Sequence, residues 1–550
     1  MTELADRCRQ RWEALKIERS SWEDHWREVS KVLLPRAGRF LASDNNKGDK
    51  RYNDIYDNTG TRALRTLAGG MMAGMTSPAR PWFRLTTLDP RLDENYEVKV
   101  WTSEVTSLMQ MILNRSNVYR ALHSAYEELG AFGTSATVVL DDFDRVVHCM
   151  PLTIGSYAIA SNSRGTVNTL YREFRMTVAA MVAEFGYGNC SQAVQEAFDK
   201  HRYDEWITVI NAIEPRDMRH PGRHDNKNMP WRSVYFEEAT TERGKLLRES
   251  GFRNFPALCA RWFVTADDVY GTCPGMEALG DLKQLQNSQW RKAQAIDYMA
   301  NPPVVVPADL KDDEQALLPG GVIYTGNATQ AQGVRSAFDV NLKVDSVLVD
   351  IQDCRQRINE GFYKDIFLML TEQGGNRMTA TEVAERHEEK MLMLGPVLDR
   401  LNNEMLDPLI SLVFERMVEV NLLPPLPEEL QGIELNVDYI SILAQSQKAI
   451  TTNAVDRFTN SLGVLAGMKP EVIDKFDADY WADYYADALG LDPQLIVPGK
   501  KVALIRQQRA QAQQQAQQAE QAVQMAQVAK DLGQIQSPDP AQIASQFQGY

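Results

Sequence analysis

Residues 341–420 hold two long segments with apolar residues at helical spacing, parted by adjacent glycines, and no other stretch limits the fold as strongly. In NLKVDSVLVDIQDCRQRINEGFYKDIFLML, Val344, Val347, Leu348, Ile351, Ile358 and Phe362 recur so that one helix face is apolar. Gly374 and Gly375 end that run, because neighbouring residues free to take positive φ stop a helix at little cost. The next segment opens on Thr379 and Glu382, the spacing of a capping box in which hydroxyl and carboxylate each satisfy a backbone N–H. Val383, Met391, Leu394, Leu398, Leu401, Met405, Leu409 and Leu412 then keep one side apolar. At about 1.5 Å per residue the expected helix is roughly 60 Å long, more than a single globular core needs. Pro396 and Pro408 lack an N–H and are expected to kink it.

Upstream, residues 1–34 read as a helix: Leu4, Cys8, Trp12, Leu15, Trp22, Trp26, Val29 and Leu33 fall at spacings of three, four and seven, with the tryptophans as packing anchors. Residues 35–50 form a polar linker. Asp57 or Asn58 is the expected N-cap of a helix with the face Ala63, Leu67, Met71 and Met75, where Ala68, Gly69, Gly70, Ala73 and Gly74 let another backbone approach closely. Residues 98–129 read as one further amphipathic helix. After Gly130 the period changes to alternation rich in β-branched residues, with turns at Asp141-Asp142 and Ser163-Arg164-Gly165, so a small antiparallel sheet is expected. A short helix over 177–185 and strands over 206–213, 231–237 and 256–264 extend it. Pro274-Gly275 precedes a helix whose expected buried face is Leu279, Leu282, Leu285, Ala293, Ile296 and Ala300, stopped by Asn301-Pro302-Pro303. Residues 304–337 are a short turn-rich insert. Residues 435–465 and 470–491 look helical, and Ile505, Ala512, Ala516, Ala519, Val523 and Ala526 give the last helix an alanine seam at heptad spacing. A solvated Gln-rich tail is the plainer alternative for that segment.

A net charge of −15 argues against a sequence-reading nucleic-acid binder, which carries a basic footprint, but not against a wall past which DNA slides. The six cysteines are scattered without a C-x-x-C pair, as expected of reduced structural thiols. No apolar run approaches the ~18 residues of a membrane span, and the N-terminus lacks the apolar core of a secretory signal. There is no G-x-x-x-x-G-K-[ST] for phosphate and no G-x-S-x-G elbow, and Met391 sits where the second ligand of an H-E-x-x-H site would be. No catalytic residue, metal or cofactor is therefore expected.

The helix, glycine loop and R-M-T-A-T-E-V opening at Arg377–Val383 resemble the portal (head-to-tail connector) proteins of short-tailed, podovirus-type tailed bacteriophages. D-N-T-G to P-W-F-R-L, G-T-S-A, P-L-T-I-G-S-Y, R-E-F-R-M-T and Y-G-x-x-P-G-M-x-x-L-x-D-L-x-x-L are similar to further pieces of that family, so the likeness covers most of 52–422. It implies an α+β, predominantly helical portal fold. Its parts would be N-terminal helices and an α+β wing (1–270), a first stem helix (271–301), a clip (302–340) and a second stem helix (341–370). A channel loop (371–378), a long kinked wing helix (379–422), a crown (423–497), an Ala/Gln-rich barrel helix (498–536) and a disordered tail (537–550) would follow. The implied role is a dodecameric ring at one capsid vertex, assembled in the host cytoplasm. It would pass double-stranded DNA without sequence preference during packaging and ejection, contact major capsid and scaffolding proteins, and dock the terminase large subunit and then a tail adaptor. Gln373, Gly374, Gly375, Asn376 and Arg377 are the candidate channel-facing residues; Arg377 would touch phosphate transiently or pair with an acid of the next subunit. The rival reading is a coiled-coil-forming scaffold or ejected internal virion protein; an enzyme ranks last.

Overall fold

A computed structural model describes residues 2–40, 54–302 (apart from 90, 91, 93, 94, 221, 224 and 239–244), 304–307, 322–325, 335–336, 344–371, 394–440 (apart from 434) and parts of 458–518. The chain divides into a larger unit of 1–85, 104–426 and 435–451, and a smaller one of 86–103, 427–434 and 452–550. The first elements are α1 (Thr2–Val32), α2 (Thr59–Met75), β1 (Phe83–Thr87), α3 (Tyr96–Arg115) and α4 (Val118–Phe132). Then come β2 (Thr134–Asp142), β3 (Val146–Leu152), β4 (Tyr157–Ser161), β5 (Val167–Thr177), α5 (Val178–Phe185), α6 (Gln192–Asp199), β6 (Trp206–Pro215), β7 (Trp231–Glu237), β8 (Arg248–Phe252) and β9 (Ala257–Arg261). A single turn α7 (Pro274–Glu277) leads to α8 (Leu279–Ala300), β10 (Val304–Pro307), β11 (Val322–Thr325) and β12 (Arg335–Ser336). Last are α9 (Val344–Gly361), α10 (Lys364–Thr371), α11 (394–401), α12 (Asp407–Glu419) and β13 (Leu435–Tyr439). This is the mixed, largely helical α+β architecture expected from the sequence.

Strands β4 to β8 make an antiparallel five-stranded sheet in chain order, and β3-β2-β9 a second antiparallel sheet. The first is covered by α1, whose Cys8, Trp12 and Leu15 pack with Ala158, Tyr171, Ile210, Val234 and Phe236. Trp12 stacks on Tyr171 with ring centroids 6.3 Å apart. β2 does not alternate: Thr134 to Val139 are all buried, because α4 and α12 both pack on it. All six cysteines are buried and free.

The expected single helix over 98–129 is two. Asn117 separates them, its side chain accepting from Cys149 N (2.8 Å) and donating to Cys149 O (2.6 Å), so it pairs with β3 instead of continuing a helix. Gly133 then closes α4 at φ +75°, where an added Cβ would sit 2.1 Å from the Gly271 carbonyl oxygen. Helix α6 was not expected; Ser191 caps it by accepting from Val194 N. Where a helix was expected from residue 435, β13 instead joins β1, with Ile440 N donating to Trp82 O and Tyr439 stacked on Trp82. That pairing spans most of the chain, so no local pattern announces it.

Leu394, Leu398, Leu401, Met405, Leu409 and Leu412 are all buried, on the face expected of them. Between α11 and α12 the helix widens: Asp407 N reaches Asn402 O, five residues back, instead of the usual four. The wide turn lies just before Pro408, which can give no N–H to Glu404 O, so the π-turn takes up the break that a proline forces. Glu404 is also held there by Arg261, Nη2 to Oε1 at 2.6 Å. In the smaller unit, residues 501–518 are helical and almost wholly exposed, and Arg506 grips Asp479 through Nη1 and Nη2 at 2.6 and 2.7 Å.

Candidate functional site

Helices α8 and α9 flank the three-stranded sheet β11-β10-β12 in sequence and lie antiparallel, with Asp281 near Arg357 (3.2 Å) and Gln284 near Asp350 (3.4 Å). One end of the pair is locked. There Leu282, Leu285, Ile351, Cys354 and Ile358 are buried, and Leu282 lies so close to Gly60 of α2 that a Cβ would meet it at 2.3 Å.

A polar node on Asp57 ties this end to the start of α2. Asp57 Oδ1 accepts from Thr59 N (2.9 Å) and Thr59 Oγ1 (2.6 Å), while Oδ2 accepts from Gln289 Nε2 (2.8 Å) and Arg355 Nε and Nη2 (3.0 and 2.8 Å). Gln286 completes it, accepting from Tyr56 N and Asp57 N and donating to Asp57 O. Burial works to raise the Asp57 carboxyl, but the hydrogen bonds from Thr59, Arg355 and Gln289 outweigh it and hold the group below the usual carboxylate range. Of the two expected caps, Asp57 is the one that supplies the oxygen; Asn58 makes no capping bond.

The other end of the pair is bare. From Asn287 to Ala300 no residue of α8 is buried, and Trp290, Ile296 and Met299 are 41%, 44% and 48% exposed. Val349 of α9 is 66% exposed. The face expected to be buried at Ala293, Ile296 and Ala300 is therefore uncovered among the described residues. Ile296 and Met299 keep a little under half of their surface exposed, so covering the remainder would be worth about 1 kcal/mol each.

The helix expected over 341–370 breaks at Tyr363, which takes φ +54°. Phe362 is fully buried and Tyr363 faces Trp262 at 6.3 Å, so aromatic packing holds a backbone that a non-glycine residue rarely adopts. Beyond it, Phe367 of α10 lies on Gly70 of α2, where a Cβ would meet its ring at 2.3 Å. At Gly70 the close neighbour of α2 is thus an aromatic ring and not the backbone expected there. Gln373, Gly374, Gly375, Asn376 and Arg377 lie outside the described residues, as do Thr379 and Glu382. The Asp57 node was not foreseen as a site; its signal was Gln286 and Gln289 interrupting an otherwise apolar helical face.

Among the described residues no helix is long and apolar enough to cross a membrane. The chain matches the family described as bacteriophage head to tail connecting protein over residues 5–497. It is 58% identical over 543 residues to the probable portal protein of Bordetella phage BPP-1, covering 98% of each chain. The portal protein of Salmonella phage epsilon15 is 44% identical over 532 residues, 96% of each. That of Escherichia phage T7 is 22% identical over 438 residues, 76% of this chain and 75% of the relative. Among solved structures, a chain in the virion of a native gene transfer agent particle is similar with a TM-score of 0.33 at 12% identity, covering 84% of this chain and 99% of that one.

Proposed function

Since the chain belongs to the family of bacteriophage head to tail connecting proteins, we propose that identical copies close into a ring at one capsid vertex and serve as the conduit for double-stranded DNA. The observation that supports this most directly is the bare half of the α8–α9 pair, with Trp290, Ile296, Met299 and Val349 in water. A second copy supplies the missing cover, and repeated around an axis the contact is head-to-tail and closes. In this reading α8 and α9 are the stem, β10 to β12 belong to the clip, and the ring is a dodecamer. The loop around Gln373–Arg377 faces the channel. A channel wall must be blind to sequence and weak in its grip, because each firm Lys/Arg–phosphate pair would hold the duplex. The chain's net charge of −15 suits a wall of that kind. The ring would meet major capsid and scaffolding proteins at the vertex, then dock the terminase large subunit during packaging and a tail adaptor afterwards.

Imaging of the purified protein by negative stain tests the reading. Annular particles with an open centre are the expected result. A compact single-copy particle, or an elongated one favouring a scaffold or ejected protein, would overturn it.

A further inference from the structure

Between β6 and β7, the described loop residues (216–220, 222, 223 and 225–230) carry an exposed cationic surface on a chain of net charge −15. Its neck is closed by the register pair Pro215 and Trp231 and by Arg216 N donating to Pro230 O at 2.8 Å. The charges at the neck satisfy one another: Glu214 with Arg232 (2.6 Å), Asp217 with Arg7 (2.9 Å), and Arg216 with Glu249 (2.8 Å).

The described residues of the loop are tied to one another by hydrogen bonds. Asn228 Oδ1 accepts from His220 N at 3.1 Å, Asn228 Nδ2 donates to the Asp225 carboxylate, and Arg223 N donates to His220 O at 3.0 Å. Its backbone rests on β8, where a Cβ on Gly251 would lie 2.6 Å from Asn226 O. What remains is outward-facing: Arg219, His220, Arg223 and Lys227 are exposed, and among the described residues no hydrogen bond or ion pair engages their side chains. Met218 stands beside them at 90% exposure. Irregular loops longer than about 12–15 residues are uncommon in compact domains and usually serve a function when ordered.

We propose that this loop docks an acidic segment of another protein, with carboxylates on Arg219, Arg223 and Lys227 and an apolar side chain on Met218. Cations alone would serve a nucleic-acid backbone as well. A duplex backbone, however, is met by cations, hydroxyls and amides, and offers a thioether nothing. Met and Arg are instead the residues enriched where proteins meet. The negative charge of the whole chain also repels a polyanion as extended as DNA more than a short acidic segment. None of this depends on ring closure.

The test uses the full-length protein and two labelled probes, a peptide repeating Glu-Glu-Leu and a short DNA duplex, followed by fluorescence anisotropy at low and moderate salt. The peptide is expected to bind, and to weaken with salt. Arg219→Glu, Arg223→Glu and Lys227→Glu together should lower its affinity by about tenfold or more, and Met218→Ser by about threefold with little change in salt dependence. All four side chains are exposed, so both variants should unfold at the wild-type midpoint. Three results would each overturn the inference: no peptide binding, peptide binding unchanged in the triple variant, or tighter binding of the duplex that the triple variant loses.

Discussion

Glu128 is buried in α4, with Thr153 Oγ1 donating to its Oε1 at 2.6 Å and Ile154 N to its Oε2 at 3.0 Å. Burial pushes it from 4.5 up to about 7 and the neighbouring Glu127 adds to this, while the two hydrogen bonds and Arg39 pull the other way. The folded chain therefore keeps a proton that the unfolded chain releases. The resulting stability is whole below about pH 4.5 and is lost as pH rises through about 7, a span worth about 3 kcal/mol. Urea midpoints measured from about pH 5 to about pH 8 should fall in the wild type and flatten in Glu128→Gln; an equal slope in both would exclude Glu128 as the cause. Asp57 makes the complementary case. Asp57→Ala strands the Thr59 N–H and Gln289, and should cost about 1–3 kcal/mol in denaturant titrations. A variant as stable as wild type would mean that the node orients the helices without stabilising them.

At the scale of elements, several amphipathic faces whose partners lie inside the chain were readable, though that of α6, packed against α5 and β6, was missed. The buried positions of α11 and α12 fall at the expected residues, and β7 runs over 231–237 as expected. Elements set by a distant partner were not readable: Asn117 leaves its helix for β3, β13 for β1, and Tyr363 turns because Phe362 and Trp262 hold it there. Helix α8 gives a third outcome. Of the face expected to be buried, Leu282 and Leu285 are buried, Leu279 is half-buried, and Ala293, Ile296 and Ala300 are exposed, since a sequence pattern reports that a face is apolar and not what covers it. Replacing Trp290, Ile296 and Met299 together by Ser should accordingly lower stability only modestly, by about 1–3 kcal/mol, because each keeps a little under half of its surface in water. Sedimentation velocity should show assembly shifted towards single copies. A large loss of stability with normal assembly would place their cover inside the chain.

For the molecule as a whole, the proposed conduit predicts that Arg377→Glu lowers the yield of packaged DNA far more than it lowers monomer stability. Nuclease-protected DNA per capsid is the measurement, and an unchanged yield would leave Arg377 without a channel role. Deleting Gln373–Asn376 should likewise leave rings intact while reducing packaging or retention of DNA; rings that fail to form would make the loop architectural.

The split character of the α8–α9 pair, latched by Asp57 at one end and wet at the other, also bears on how copies gather. In the proposed ring, each newcomer to an open arc would seal a single seam, whereas the copy that completes the circle would seal two with no further folding to do. Incomplete arcs should therefore be scarce beside finished circles, and concentration should govern how many circles exist far more than how full each one is.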